Sequence, residues 1–190
     1  KILENKNLFY FLLAYWFYID GVSTVMAMAV DFGVAIKLDS GSLIKALLLV
    51  QFVGFPSAYL AGKLAVKFNS REVILASLFI YILAVIGASQ MSTELHFYIM
   101  ACCIGMAQGS IQALSRSLFA QLIPADNAGE YFGFFNLLGK FASVLGPILI
   151  AVSTILFKNA QYAILSLLIL FVIGFYYLLK VKSRSEIALS

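Results

Sequence analysis

Six runs of roughly 18 to 27 mostly apolar residues divide the chain, each long enough to cross a hydrocarbon core of about 30 Å as a helix. Segments such as FLLAYWF, IKALLLVQFVGF, REVILASLFIYILAVIG and AILSLLILFVIGFYYLL present apolar residues on every face. A helix of that kind must be enclosed by protein or lipid. Transmembrane barrels read as shorter segments of alternating polarity, so helices are implied. Composition agrees: 63% of the residues are hydrophobic and 12% are charged, where soluble domains carry roughly 45–50% and 25%. The predicted fold class is all-α, a polytopic membrane protein with no soluble domain.

The predicted spans lie near Leu8–Val34, Leu43–Val66, Val73–Gln90, Leu95–Leu118, Tyr131–Leu156 and Gln161–Leu179, making residues 1–190 a single six-helix transmembrane domain. Short polar links join them, KLDSGS, KFNSRE, STE, IPADNAGE and KNAQ. An even number of spans puts both termini on one side. Lys1, Lys6, Lys63, Lys67, Arg71, Arg116, Lys180, Lys182 and Arg184 fall on that side, against Lys37, Lys45 and Lys158 on the other. Lysine and arginine in short flanking loops govern orientation, so the bias predicts cytoplasmic termini. Within it, GKLAVKFNSR (Gly62–Arg71) reads as a tight basic turn between the second and third spans. The net charge of +4 thus reports topology; spread over loop ends, it forms no groove for nucleic acid. Nothing at the amino terminus resembles a cleaved signal, and the chain opens at Lys1 almost directly into a span, the pattern of a fragment. Cys102 and Cys103 diverge by about 100° on one helix and read as packing residues.

Asp20, Asp31, Arg116 and Lys140 are the ionisable side chains at or near membrane depth. A charge there costs a few kcal/mol and so faces a cavity or a partner. Asp20 lies roughly 18 Å into the first span from the cytoplasmic end and Lys140 roughly 14 Å into the fifth, so their depths allow a pair. Either they form a cavity pair that binds a charged solute or gates a proton, or they form a structural ion pair, or the lysine snorkels to the interface. Asp31 shares the Asp20 face and reads as a mouth or cap residue. On the fourth span Gln108, Gln112 and Arg116 recur at i, i+4 and i+8, with Ser115 beside them. That stripe either bonds to neighbouring helices or lines an aqueous path; Arg116 has the alternative of pairing with Asp126 or Glu130 in the next loop. Gly139, Ala142, Ser143 and Gly146 make a strip of small residues on the fifth span. Gly146-Pro147 then favours close packing and a bend, as a static face or a hinge. Gly21 similarly weakens the first span, as at a discontinuous helix.

The second span, basic turn and third span resemble the major facilitator superfamily motif Gly-x-Leu-Ala-Asp-Arg-x-Gly-Arg-Lys, matched by Gly62, Leu64, Ala65, Lys67 and Arg71. Val66, Asn69 and Ser70 replace its aspartate, second glycine and middle arginine. Asn69 still tolerates a left-handed turn, whereas the missing aspartate argues against a charge-relay gate. FLLAYWFYIDGVSTVMAMAVDFG and SRSLFAQLIPADNAGEYFGFFNLLGKFASVLGP are similar to the carboxy-terminal half of one branch, which includes fungal vacuolar amino-acid effluxers and uncharacterised bacterial transporters. Tyr15, Asp20, Gly21, Val22, Ser115-Arg116-Ser117, Pro124, Glu130, Phe132-Gly133 and Gly146-Pro147 carry that similarity.

The resemblance implies helices seven to twelve of a twelve-helix rocker-type transporter of the bacterial cytoplasmic membrane, with an amino-terminal six-helix half missing or a second chain in its place. It implies that the first and fourth spans border a central cavity, the second and fifth flank it, and the third and sixth face lipid. Asp20, Lys140, Gln108, Gln112 and Arg116 become candidates for substrate or proton binding, Gly62, Lys67 and Arg71 the motif turn, and Gly21, Gly146 and Pro147 the bends. The expected function is secondary transport of a small solute, an amino acid by resemblance, through alternating access. A non-transporting scaffold or a passive channel is the alternative. One histidine, His96, and no clustered ligands or nucleophile–base pair argue against an enzyme; no cofactor or metal is expected, and lipid and a small solute are the expected partners.

Overall fold

The computed structural model describes residues 5–35, 37–157 and 160–182. Lys1, Lys158 and Arg184, which enter the basic-residue bias, lie outside the described residues. Eight α-helices are formed among the described residues: α1 (Lys6–Ala35), α2 (Ser40–Phe68), α3 (Ser70–Ala88), α4 (Glu94–Leu122), α5 (Ala128–Phe141), α6 (Leu145–Phe157), α7 (Ala160–Ala163) and α8 (Leu168–Leu179). Side-chain oxygens start two of them. Asp39 accepts from the Ser42 N–H at 3.1 Å ahead of α2, and Thr93 accepts from the His96 N–H at 3.3 Å ahead of α4.

Four predicted spans correspond to single helices, and the other two are subdivided. The fifth is broken at residues 142–144 into α5 and α6, and the sixth is α7 and α8 joined by a 3₁₀ turn over Ile164–Leu167. The first span runs unbroken through Gly21, so the predicted bend there is absent. Instead a Cβ on Gly21 would lie 2.9 Å from the Phe171 ring, which makes it a packing position against α8. The basic turn is also far shorter than predicted. Gly62 to Phe68 complete α2, leaving Asn69 alone, at φ 68°, to redirect the chain into α3.

Lipid is as apolar as leucine, so helices in a membrane associate through close van der Waals packing and hydrogen bonds more than through hydrophobic burial. α1 sits centrally, against α8, α4, α5 and α6. Its amino-terminal third is held by rings: Tyr15 stacks on Phe135 of α5 at 4.2 Å, and Phe135 on Phe119 of α4 at 4.5 Å. On its other side the α8 backbone comes close enough that a Cβ on Gly174 would stand 2.9 Å from the Tyr18 Cβ. α3 packs on α4 and α8, with Tyr81 stacked on Phe171 at 5.2 Å. The outward sides of α3 and α8 expose Phe79, Leu83, Ile169 and Val172, a surface suited to lipid. The motif residue Arg71 donates to the carbonyls of Leu178 and Leu179 at 3.1 and 2.6 Å and pairs with Glu72 at 2.8 Å. It therefore satisfies free carbonyls at the end of α8. Lys67 lies over the Phe68 ring and Gly62 is exposed with open space beside it.

A polar groove and a capped helix break

α2 and α4 form the most intimate helix pair, because glycines let the two backbones touch. A Cβ on Gly109 would clash with the Gly54 carbonyl oxygen, and one on Gly105 would lie 2.8 Å from the Val50 carbonyl oxygen. Ser57 adds a hydrogen bond across the pair, donating to the Met106 carbonyl at 2.6 Å. Between this pair and α1 a groove of about 730 Å³ opens. Tyr15, Ile19 and Ser23 of α1 form one wall, Gln51, Gly54, Phe55 and Ala58 of α2 another, and Gly105 to Arg116 of α4 the floor, with Phe135 of α5 at one end.

The predicted α4 stripe is brought together here: Gln108, Gln112 and Arg116 all line the groove. Gln108 is half-buried and its Oε1 accepts from the Tyr81 hydroxyl at 3.4 Å, whereas Gln112 and Arg116 are exposed to the groove. Ser115 is turned into the bundle, where its hydroxyl lies 2.7 Å from that of Tyr18 and donates to the Ile111 carbonyl at 2.6 Å. Arg116 forms no ion pair with Asp126 or Glu130; among the described residues the ion pair within 4.0 Å is Arg71–Glu72. Among the described residues no acidic side chain lines the groove, so its polar wall offers amide and hydroxyl groups and one guanidinium. That chemistry suits an anionic group on a small ligand. Among the described residues no cluster of three or more His, Cys, Asp and Glu could hold a metal ion.

Asp20 and Lys140 do not form the predicted pair, and neither lines the groove. Asp20 is wholly buried and turned toward α6. Its Oδ2 accepts from the Leu145 N–H at 2.9 Å, and its Oδ1 from the Gly146 N–H at 3.0 Å and the Thr24 hydroxyl at 3.3 Å. Pro147 has no N–H, and the Ile148 N–H reaches the Val144 carbonyl at 3.4 Å. The unpaired donors of the first turn of α6 are thereby all accounted for. Lys140 stands in the last turn of α5, exposed, where a positive charge complements the negative helix end. The two charges thus address the two ends of one helix break and not each other. Gly146-Pro147 lies just inside α6 and does not itself form the bend; the break precedes it. Asp31 is exposed near the carboxy-terminal end of α1, beside a separate small pocket.

Sequence reasoning did not single out Gln51, Ser23, Gly54, Gly105 or Gly109. A signal for the last two is visible in the chain, since Gly105 and Gly109 form a G-x-x-x-G pattern inside an apolar span.

The chain is similar along residues 1–188 to the family described as vacuole effluxer Atg22 like. An uncharacterised MFS-type transporter of Bacillus subtilis, YxiO, is 45% identical over 174 residues, covering 92% of this chain and 41% of that protein. Autophagy-related protein 22 of Cryptococcus neoformans is 26% identical over 190 residues, covering 91% of this chain and 33% of that protein. The protein of the same name from Saccharomyces cerevisiae is 25% identical over 170 residues, covering 83% and 32%. This chain therefore spans between about a third and two fifths of the length of these relatives. No solved structure matches it significantly.

Proposed function

Because the chain belongs to the family of Atg22-like vacuole effluxers, we propose that it is one six-helix half of a secondary transporter that moves a small solute by alternating access. The observation that carries this reading is the polar groove between α1, α2 and α4, open on one side and lined by Gln51, Gln108, Gln112 and Arg116. A polar face of this kind is costly against lipid, so it belongs against water or a second six-helix half. The α4 cation and amides fit a solute with a carboxylate, and amino acids are the class that the resemblance implies. The relatives, a family of vacuole effluxers and an MFS-type transporter, favour transport over catalysis. The basic-residue bias supports cytoplasmic termini, and the bacterial relative supports a bacterial cytoplasmic membrane.

The test is solute flux by the full-length protein in vesicles under an imposed proton gradient, scanned over amino acids and their carboxamides. The expected result is gradient-driven flux of one or more amino acids and weak competition by the carboxamides. Arg116→Gln should raise the KM for the transported acid about tenfold or more, the loss of one charge-assisted contact, with a smaller effect on kcat. A protein that moves no solute under any gradient would exclude this reading, and flux that ignores the gradient would indicate a passive channel.

A further inference from the structure

Among the described residues Asp20 is the one buried acid, and a buried carboxylate among transmembrane helices invites a role in carrying protons or solute. Its surroundings argue for a different task. Both carboxylate oxygens are already occupied, by the N–H groups of Leu145 and Gly146 and the Thr24 hydroxyl. The side chain is fully buried and faces α6, while Tyr15, Ile19 and Ser23 carry the groove face of the same helix. Its negative charge meets the positive end of α6, and among the described residues no Lys, Arg or His lies within 4.0 Å of it. The approach also depends on residue 146 being glycine. A Cβ there would stand 2.8 Å from Asp20 Oδ1 and clash with the Thr24 hydroxyl.

We propose that Asp20 is a positioning residue, a carboxylate latch that bolts the start of α6 to the middle of α1 and acts as a hydrogen-bond acceptor, not as a carrier of protons or solute. Through it α6 moves with the helix that walls the groove, and the fifth span flexes at residues 142–144, between α6 and an α5 held by its own stack of rings on α1 and α4. Ser143 and Val144 are exposed beside interrupted helix hydrogen bonding. Such backbone is tolerated at membrane depth only against protein or water, so this joint lies on the side of the bundle turned away from lipid.

The proposal rests on the transport reading only in the flux arm of its test. Asp20→Ala, Asp20→Asn and Gly146→Ala would be made in the full-length protein, with amide exchange over residues 142–150 followed by mass spectrometry beside solute flux. Asp20→Ala and Gly146→Ala should speed exchange at Leu145 and Gly146 about tenfold or more, and lower kcat more than they raise KM. Asp20→Asn keeps one acceptor oxygen, so exchange should be intermediate and the pH profile of flux unchanged. Gly146→Ala is decisive because it disturbs the latch yet leaves a titratable carboxyl. Unchanged exchange in both Asp20→Ala and Gly146→Ala would overturn the latch. So would normal flux in Gly146→Ala beside a lost pH dependence in Asp20→Asn. If no variant and no wild-type protein moves any solute, the transport reading fails and exchange alone decides the latch.

Discussion

Two glycines of this chain sit in helices and look alike in sequence, yet their surroundings set opposite expectations. Gly109 faces the Gly54 carbonyl oxygen with no room for a methyl group, and Gly62 has open space beside it. Gly109→Ala must push α2 away from α4, against backbone that cannot yield cheaply. Overpacking of this kind costs about 1–3 kcal/mol. Gly62→Ala meets no neighbour and gains helix propensity, so it should be neutral or stabilising by about 0.5–1 kcal/mol. Thermal unfolding of the two variants in one detergent checks the pair, and a lower Tm for Gly62→Ala than for Gly109→Ala would refute the packing account. Residue type alone did not separate these positions. The fourth-span stripe was legible because Gln108, Gln112 and Arg116 repeat every four residues, a property of one helix. Which face of α2 would meet it was not.

At the scale of elements, the apolar runs marked where the helices lie, because length and hydropathy are local; five segments are long and apolar enough to cross a membrane, and Ile164–Leu179, within the sixth predicted span, is shorter. The break in the fifth span was not legible as a break. Its amino-terminal cap comes from Asp20, 125 residues earlier in the chain, and nothing near Ala142–Val144 announces a carboxylate at that distance. Gly146 and Pro147 were visible and drew attention to the right turn, but as a bend and not as the start of a new helix. The α2 cap is the local counterpart, with Asp39 and Ser42 three residues apart. The Ser42 hydroxyl and N–H hold the Asp39 carboxyl below its ordinary range. A depressed value means that the cap contributes fully above the ordinary carboxyl pKa of about 4 and is lost as pH falls through the lower folded value. The first turn of α2 should therefore fray in acid. Amide protection of residues 40–45, corrected for intrinsic exchange, should drop at low pH in the wild type and vary far less in Asp39→Asn. Equal acid sensitivity in the two proteins would show that another group is responsible.

For the molecule as a whole, the question is which of its apolar surfaces meet lipid and which meet something else. α3 and α8 turn Phe79 and Val172 outward beyond well-packed inner faces. α2 is different: Phe55 is 83% exposed and lines a polar groove together with Gln51, and Phe52 on the same helix is 76% exposed. A surface that mixes exposed rings with amides and a guanidinium is unsuited to hydrocarbon and suited to water with a protein wall around it. Single cysteines distinguish these environments once Cys102 and Cys103 are replaced. In the full-length protein in vesicles, cysteines at Gln112 and Ser23 should react with a charged, water-soluble thiol reagent, because both positions line the groove. Cysteines at Phe79 and Val172 should stay unreactive, since a thiol in lipid is neither ionised nor reached by such a reagent. A transported solute should slow the reaction at Gln112 and leave a control site in the Lys180 region unaffected. Labelling at Phe79 as fast as at Gln112 would mean that the groove is not the aqueous face of this half, and the orientation of the bundle argued from α1, α2 and α4 would have to be reversed.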